Sequence, residues 1–234
     1  MIYINGYWNR VGNMLGFLPG TPEESYWNYF SPSFISSSRE FMGVAADETD
    51  RFIDGSSIFG IDQYASDRYM FGFQYGIEHY NELVGELKVG ESFKFVSHSE
   101  GGAFASGLAD YLIIKGHLVE RMLFLSPREA DAFSCPDNIF AIQVHFTNDP
   151  VCIAKPISGV VVYILLRDLN GEKAALRYAH GGTVKESTIK KIQQIMVLIP
   201  LDQNNRQIVK QWIITETDNG YTFIHNDGLA SEKK

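Results

Sequence analysis

The sequence has few cysteines, no long apolar run and no excess of positive charge. Only Cys135 and Cys152 occur among the 234 residues, and their spacing matches no metal-ligand motif, so we expect two free thiols. No stretch reaches the ~18 apolar residues that a membrane-spanning helix needs. The net charge of −8 argues against nucleic acid and against electrostatic binding to an anionic membrane, but leaves transient hydrophobic contact with a membrane surface open.

The N-terminus also lacks a basic stretch followed by an apolar run, which is the pattern of a secretory signal. We therefore expect a cytoplasmic protein, or one exported by a route that reads no such signal, for example as an effector of a dedicated secretion machine. The composition, 45% hydrophobic and 21% charged, is that of an ordinary globular protein. Residues 1–234 are long enough for one domain with a sizeable core.

Strands and helices alternate along the central part of the chain, which predicts an α/β fold with a mostly parallel sheet and helices on both faces. The expected strands are short, apolar and β-rich: Met1–Asn5, Arg51–Asp54, Ser92–Ser97, Arg121–Leu125 and Ile139–Phe146. Helical spacing of apolar residues predicts helices from Ser66 to about Val89 and over Glu100–Lys115.

Two regions depart from this alternation. Residues 13–43 form an insertion dense in aromatic side chains, which predicts either a lid with an acyl-binding surface or a helix packed in the core. Residues 157–234 carry two hairpin signals, since Asn170-Gly171 and Asp218-Asn219-Gly220 each lie between β-rich runs. The runs are Val160–Leu166 with Ala174–Tyr178, and Ile208–Thr215 with Tyr221–Ile224.

Ser99 lies between a predicted strand and a helix that has a face of small residues. A serine nucleophile needs a sharp strand-to-helix turn, with small residues two positions before and two positions after it. Ser97 and Gly101 hold those positions, with Ser97 where glycine is usual. The pattern predicts Ser99 as a nucleophile; the alternative is a serine in an ordinary loop.

Three segments between about Phe93 and Val151 resemble a known family, the class 3 (fungal-type) lipases and related esterases. They are Ser97-His98-Ser99-Glu100-Gly101-Gly102-Ala103, Leu125-Ser126-Pro127-Arg128 with Ser126 where glycine is usual, and Asn148-Asp149-Pro150-Val151. The resemblance implies an α/β-hydrolase fold and a serine hydrolase of carboxylic esters, such as a lipase, phospholipase or esterase. Its substrate would be a small ester or a lipid, and no metal or organic cofactor is implied.

Asp149 is the expected acid of a catalytic triad. It follows directly on a strand, comes after Ser99 in the chain and precedes two histidines, which is the Ser…Asp…His order of this fold. Its carboxylate would hold a histidine in the correct tautomer and stabilise the imidazolium. The alternative is an aspartate that forms a turn before Pro150, with Glu129 and Asp131 as the other candidate acids.

The base is a choice between the two histidines that follow Asp149. His180 is flanked by glycines before a predicted helix, where this fold normally presents its base. His225 ends the last hairpin, and the position of the base near the C-terminus in the resembled family favours it. Tyr178–Gly182 also resembles the family's non-catalytic Tyr-x-His-x-Gly segment, which counts against His180 as the base. Geometry favours His180, with His225 as the alternative; the expected structural histidines are His79, His98, His117 and His145.

An oxyanion hole needs two backbone N–H groups aimed at the developing negative charge. We expect one from Glu100, directly after the nucleophile at a helix N-terminus. The second is expected from Tyr7 or Trp8, in the loop after Asn5-Gly6. The alternative for this loop is a plain turn at the end of a strand.

Two other functions stay open at this point. The departures from the family pattern at Asn5, Ser97 and Ser126 are compatible with a catalytically silent α/β-hydrolase fold used as a binding module. An amidase, a thioesterase or an acyltransferase would use the same triad, because fold and triad are shared across these chemistries.

Overall fold

A computed structural model describes residues 1–6, 24–29, 31–56, 64–85, 87–88, 90–152, 155–167, 180–199 and 211–226. Within these residues eight strands form one sheet in the order β2-β1-β3-β4-β5-β6-β7-β8. The strands are β1 (Ile2–Asn5), β2 (Arg51–Asp54), β3 (Phe93–His98), β4 (Val119–Leu125), β5 (Phe140–Phe146), β6 (Val162–Leu166), β7 (Gln211–Thr217) and β8 (Gly220–Asn226). All neighbours pair in parallel except β7 and β8. The predicted α/β class and mostly parallel sheet are confirmed.

Six described helices cover the two faces of the sheet. They are α1 (Glu24–Asn28), α2 (Phe34–Met42), α3 (Ala65–Glu78), α4 (Tyr80–Gly85), α5 (Gly101–Ile114) and α6 (Glu186–Leu198). Alternate strand residues point to opposite faces: Phe95 packs with α3, α4 and α5, whereas Val96 packs with α1, α2 and α6. The helix expected from Ser66 to Val89 is therefore two helices, which are separated at His79.

Helices α3 and α5 approach each other backbone to backbone. A Cβ atom added at Gly72 would lie 1.9 Å from the carbonyl oxygen of Phe104, and one added at Gly107 would lie 1.9 Å from that of Tyr69. The small residues that follow Ser99 therefore allow α5 to pack closely against α3. This contact fixes the position of α5 and of the turn directly before it, which contains Ser99.

The described part of the 13–43 insertion belongs to the core. Trp27 on α1 is fully buried, and its ring stacks on Phe34 of α2 with 5.6 Å between centroids. Tyr26 and Met42 are buried in the same cluster. Residues 24–29 and 31–43 thus follow the core alternative rather than the lid, and residues 13–23 lie outside the described residues.

The hairpin expected around Asn170-Gly171 is not formed as predicted. Strand β6 pairs in parallel with β5 on one side and with β7 on the other, so neither edge is open to the antiparallel partner expected from Ala174–Tyr178. That partner segment lies outside the described residues. Strands β7 and β8 pair in antiparallel register across Asp218-Asn219, with Ile214 opposite Phe223. No helix in the described part of the chain combines the length and apolar character needed to cross a membrane.

Candidate active site

Ser99 occupies a strained turn between β3 and α5. Its φ of +55° lies in the left-handed region, which residues other than glycine rarely adopt. The Ser99 N–H donates to the Leu125 carbonyl at 2.9 Å, and the Ser99 carbonyl accepts from the N–H groups of Gly102 and Arg128, each at 3.2 Å. These bonds hold the strained backbone and present the Ser99 hydroxyl beyond the end of the sheet.

The neighbouring strand requires a residue without a side chain at position 101, two residues after Ser99. A Cβ atom added at Gly101 would lie 2.5 Å from the Ile4 carbonyl oxygen and 2.6 Å from that of Asn5, closer than real Cβ atoms come. Gly101 thus lets α5 begin directly against the end of β1. Ser97, two residues before the nucleophile, is buried in β3.

Three residues predicted from separate segments meet at this turn. His180 Nε2 lies 2.7 Å from Ser99 Oγ, and His180 Nδ1 lies 2.9 Å from Asp149 Oδ2 and 3.2 Å from Oδ1. The Asp149 side chain is fully buried, whereas that of His180 keeps 15% of its surface exposed. The structure therefore brings Ser99, His180 and Asp149 into one hydrogen-bonded line.

The charge on Asp149 determines the tautomer of His180. Burial raises the pKa of this carboxyl, but the hydrogen bond and charge of His180, the Val151 amide and the Cys152 thiol outweigh burial and hold the pKa well below its usual range. The ionised carboxylate accepts the Nδ1 proton, so Nε2 is left to accept from Ser99. Asp149 Oδ1 also accepts the Val151 N–H at 2.9 Å, so the expected turn at Asp149 and its hydrogen bond to His180 coexist.

The alternative base and acids lie elsewhere. His225 is on β8, five strands along the sheet from β3, which is about 24 Å at ordinary strand spacing, and its ring packs against Trp212. Glu129 pairs with Arg68, and Asp131 pairs with Lys155. None of the three is in a position to act on Ser99.

Two buried side chains hold the backbone of His180, and the sequence did not indicate either as functional. The Tyr26 hydroxyl donates to His98 Nδ1 at 2.6 Å, and His98 Nε2 donates to the His180 carbonyl at 3.2 Å. This pattern needs a neutral His98, and burial, reinforced by His180, lowers the pKa of His98 to about 3. His98 was expected to be structural, and it holds the His180 carbonyl; nothing in the local sequence connects Tyr26 to it.

Ser126, which stands where glycine is usual in the resembled family, and Cys152 both lie close to the same histidine. Thr183 Oγ1 lies 3.1 Å from Ser126 Oγ and 3.2 Å from the His180 carbonyl. The Cys152 thiol lies against Asp149 and 3.8 Å from His180 Nδ1. Burial, followed by the Asp149 charge, raises the pKa of Cys152, so this thiol is a donor rather than a nucleophile. Cys135 and Cys152 are both free, as expected.

Gly6, at the start of the expected oxyanion loop, lies directly against Ser99. A Cβ atom added at Gly6 would lie 2.5 Å from Ser99 Cβ, 2.8 Å from the His98 carbonyl oxygen and 3.1 Å from the Glu100 nitrogen. The Gly6 backbone also hydrogen-bonds to the Tyr26 hydroxyl. Tyr7 and Trp8, the expected second donors, lie outside the described residues. The Glu100 amide is therefore close to Gly6, which directly precedes Tyr7 and Trp8 in the sequence.

Glu100 places a carboxylate directly after Ser99, close to where negative charge would develop if Ser99 acts as the predicted nucleophile. Two guanidinium groups offset that charge: Arg128 pairs directly with the carboxylate, and Arg68 Nη1 lies 3.7 Å from it. The Arg68 and Glu100 side chains are almost fully buried, so their attraction is screened little by solvent. The backbone amide of Glu100 can therefore serve an oxyanion without a net negative side chain beside it.

Replacing Gly6 with alanine is expected to lower both the free energy of unfolding and the rate of any reaction at Ser99. The new methyl group would overlap Ser99 Cβ and the His98 carbonyl, and overpacking of this kind typically costs about 1–3 kcal/mol. Urea unfolding and Ser99 reactivity measure the two effects. Gly85→Ala is the matched control, since nothing lies within 4 Å of its added Cβ; equal effects of the two substitutions would contradict the close contact.

Stability is expected to fall as the pH drops from about 6.5 towards 4, because two buried histidines are neutral in the folded state. Burial is the main reason that the pKa is lowered to about 3 for His98 and to about 4 for His145. An unfolded histidine has a pKa of about 6.5, so in this window the unfolded state binds more protons and each histidine contributes a slope of about 1.4 kcal/mol per pH unit.

Urea unfolding at pH 7 and pH 5 measures this slope. His145→Gln removes one of the two titrating rings, so we expect about half of the histidine-derived slope to disappear. An unchanged slope in this variant would show that His145 is not held neutral in the fold.

Comparisons with protein-family models, with curated proteins and with solved structures find no match to this chain. The resemblance to class 3 lipases therefore remains a prediction that rests on the three sequence segments.

Proposed function

We propose that this chain is a serine hydrolase with an α/β-hydrolase fold that cleaves carboxylic esters, in the class of lipases, phospholipases and esterases. The observation that carries the proposal is the line from Asp149 through His180 to Ser99, with 2.9 and 2.7 Å between the bonding atoms. The nucleophile lies on a strained strand-to-helix turn at the end of a parallel strand, which is typical of this fold.

The acylation step uses the three residues in sequence. His180 Nε2 removes the proton from Ser99 Oγ as the oxygen attacks the ester carbonyl, and Asp149 stabilises the imidazolium that forms. The Glu100 N–H, with an N–H from Tyr7 or Trp8, stabilises the negative oxygen of the tetrahedral intermediate. His180 then gives the proton to the departing alcohol, which leaves the acyl group on Ser99.

Deacylation repeats these steps with water in place of the serine hydroxyl. His180 removes a proton from a water molecule that attacks the acyl group, and then returns that proton to Ser99 as the carboxylic acid leaves. The Tyr26–His98 pair keeps the His180 backbone in place through both halves of the reaction.

A panel of p-nitrophenyl esters of increasing chain length tests this proposal. We expect turnover by the wild type, loss of turnover in Ser99→Ala, and a preference for longer chains if the substrate is a lipid. Preference for acetate would contradict the lipid assignment. Cleavage of matched amides or thioesters but not esters would move the chemistry to another acyl-transfer class, and no cleavage at all would favour a silent binding module.

A further inference from the structure

Cys152 lies beside Asp149 and His180, and the three side chains together form a group that can bind a metal ion. The ligand atoms of Asp149, Cys152 and His180 all lie within 4.8 Å of one another. His180 Nδ1 lies 2.9 Å from Asp149 Oδ2 and 3.8 Å from Cys152 Sγ. Asp149 is buried, whereas Cys152 and His180 are each partly exposed.

The spacing and chemistry of these atoms suit Zn²⁺. Zinc binds sulfur at about 2.3 Å and histidine nitrogen or carboxylate oxygen at about 2.0–2.2 Å, so its tetrahedral ligand atoms lie about 3.4–3.6 Å apart. The distances from His180 Nδ1 to the other two atoms differ from that spacing by about half an ångström or less. Nitrogen, sulfur and oxygen ligands together favour Zn²⁺ over Mg²⁺ or Ca²⁺. The two negative charges of the thiolate and the carboxylate balance the charge of the zinc ion.

We propose that Zn²⁺, or a similar thiophilic divalent cation, binds Asp149, Cys152 and His180 and switches the site off. The inhibitory part of this inference rests on the proposed function, while the binding site does not. The three side chains supply three ligands, and water completes the coordination.

The inhibition follows from the two nitrogens of His180. A metal at Nδ1 needs the lone pair there, so the ring proton moves to Nε2, and the Cys152 thiol releases its own proton to solvent as the Zn–S bond forms. Nε2 faces Ser99 Oγ at 2.7 Å. Once it carries a proton, Nε2 donates to the serine and no longer accepts from it, so Ser99 is not activated.

Direct metal binding to protein without a histidine tag tests the site independently of catalysis. Competition with a chromophoric zinc chelator should show one site in the wild type, and Cd²⁺ in place of Zn²⁺ should give a thiolate-to-metal charge-transfer band. Cys152→Ala should remove the band and weaken zinc binding at least about tenfold, since losing even an outer-shell partner typically costs that much. Cys135→Ala, the other free thiol, should keep both.

The effect on the site is read from the labelling rate of Ser99 by a fluorophosphonate. We expect zinc to slow the labelling of the wild type at least about tenfold, and EDTA to restore the rate. In Cys152→Ala we expect the same labelling rate with and without zinc. Equal zinc affinity of wild type and Cys152→Ala would overturn the site. Binding that leaves labelling unchanged would overturn the switch. Absence of labelling without metal would instead overturn the proposed function, while the chelator titration still decides the site.

Discussion

If the proposed function holds, replacing His180 with alanine should lower the rate of ester hydrolysis about 10⁴- to 10⁶-fold, as loss of a triad member does in serine hydrolases. His180 is the residue whose Nε2 lies at hydrogen-bond distance from Ser99 Oγ, 2.7 Å away. Without it, none of the residues that the structure describes lies in the place of His180 to remove the serine proton. Steady-state hydrolysis of the best p-nitrophenyl ester measures the loss.

His225→Ala is the control for this substitution, because it removes the other histidine that the sequence allowed as the base. Its ring packs on Trp212 at the far end of the sheet, so we expect full hydrolytic activity. Circular dichroism of both variants checks that each is folded. If His225→Ala abolished hydrolysis while His180→Ala retained it, the assignment of the base would be wrong.

Asp149→Asn should lower hydrolysis about 10⁴-fold with little change in shape. The carboxylate accepts the Nδ1 proton of His180 at 2.9 Å, whereas an asparagine amide can donate to Nδ1 instead. Donation to Nδ1 stabilises the tautomer with its proton on Nε2, which cannot accept from Ser99. The same ester assay measures this effect.

Asp131→Asn is the matched control for the acid. Asp131 was an alternative acid in the sequence, and its carboxylate pairs with Lys155 on the surface. We expect hydrolysis to be unchanged in this variant. A larger loss in Asp131→Asn than in Asp149→Asn would contradict the triad.

The sequence predicted the parts of the site that are encoded locally. The turn at Ser99 needs small neighbours within two residues, and Asp149 directly follows a strand; both signals lie within a few positions of the residue concerned. His180 was favoured over His225 by its adjacent glycines, which is also local information. The mostly parallel sheet followed from the alternation of strand and helix patterns.

The parts that could not be predicted depend on contacts between distant segments. Tyr26 reaches His98 across 72 positions of the chain, and Cys152 reaches His180 across 28. The prediction of a hairpin around Asn170-Gly171 was wrong for a related reason. A turn signal describes the local chain, whereas β6 is enclosed by β5 and β7, and only the assembled sheet determines its neighbours.

The structure also shows how two polar residues near Ser99 and His180, Ser126 and Glu100, are accommodated. Ser126 stands where glycine is usual, and its hydroxyl lies within hydrogen-bond distance of Thr183, which in turn lies beside the His180 carbonyl. Glu100 adds a carboxylate next to the nucleophile, and Arg68 and Arg128 offset its charge. With Ser126 and Glu100 in place, His180 keeps its hydrogen-bond distances to Asp149 and Ser99.

Covalent labelling with a fluorophosphonate, followed by mass mapping of the modified peptide, tests the central claim most directly. The reagent forms a stable bond only with a serine whose hydroxyl is activated by a base. The account predicts one adduct on Ser99 in the wild type and none in Ser99→Ala. A wild-type protein that stays unlabelled, or a label that persists in Ser99→Ala, would contradict it.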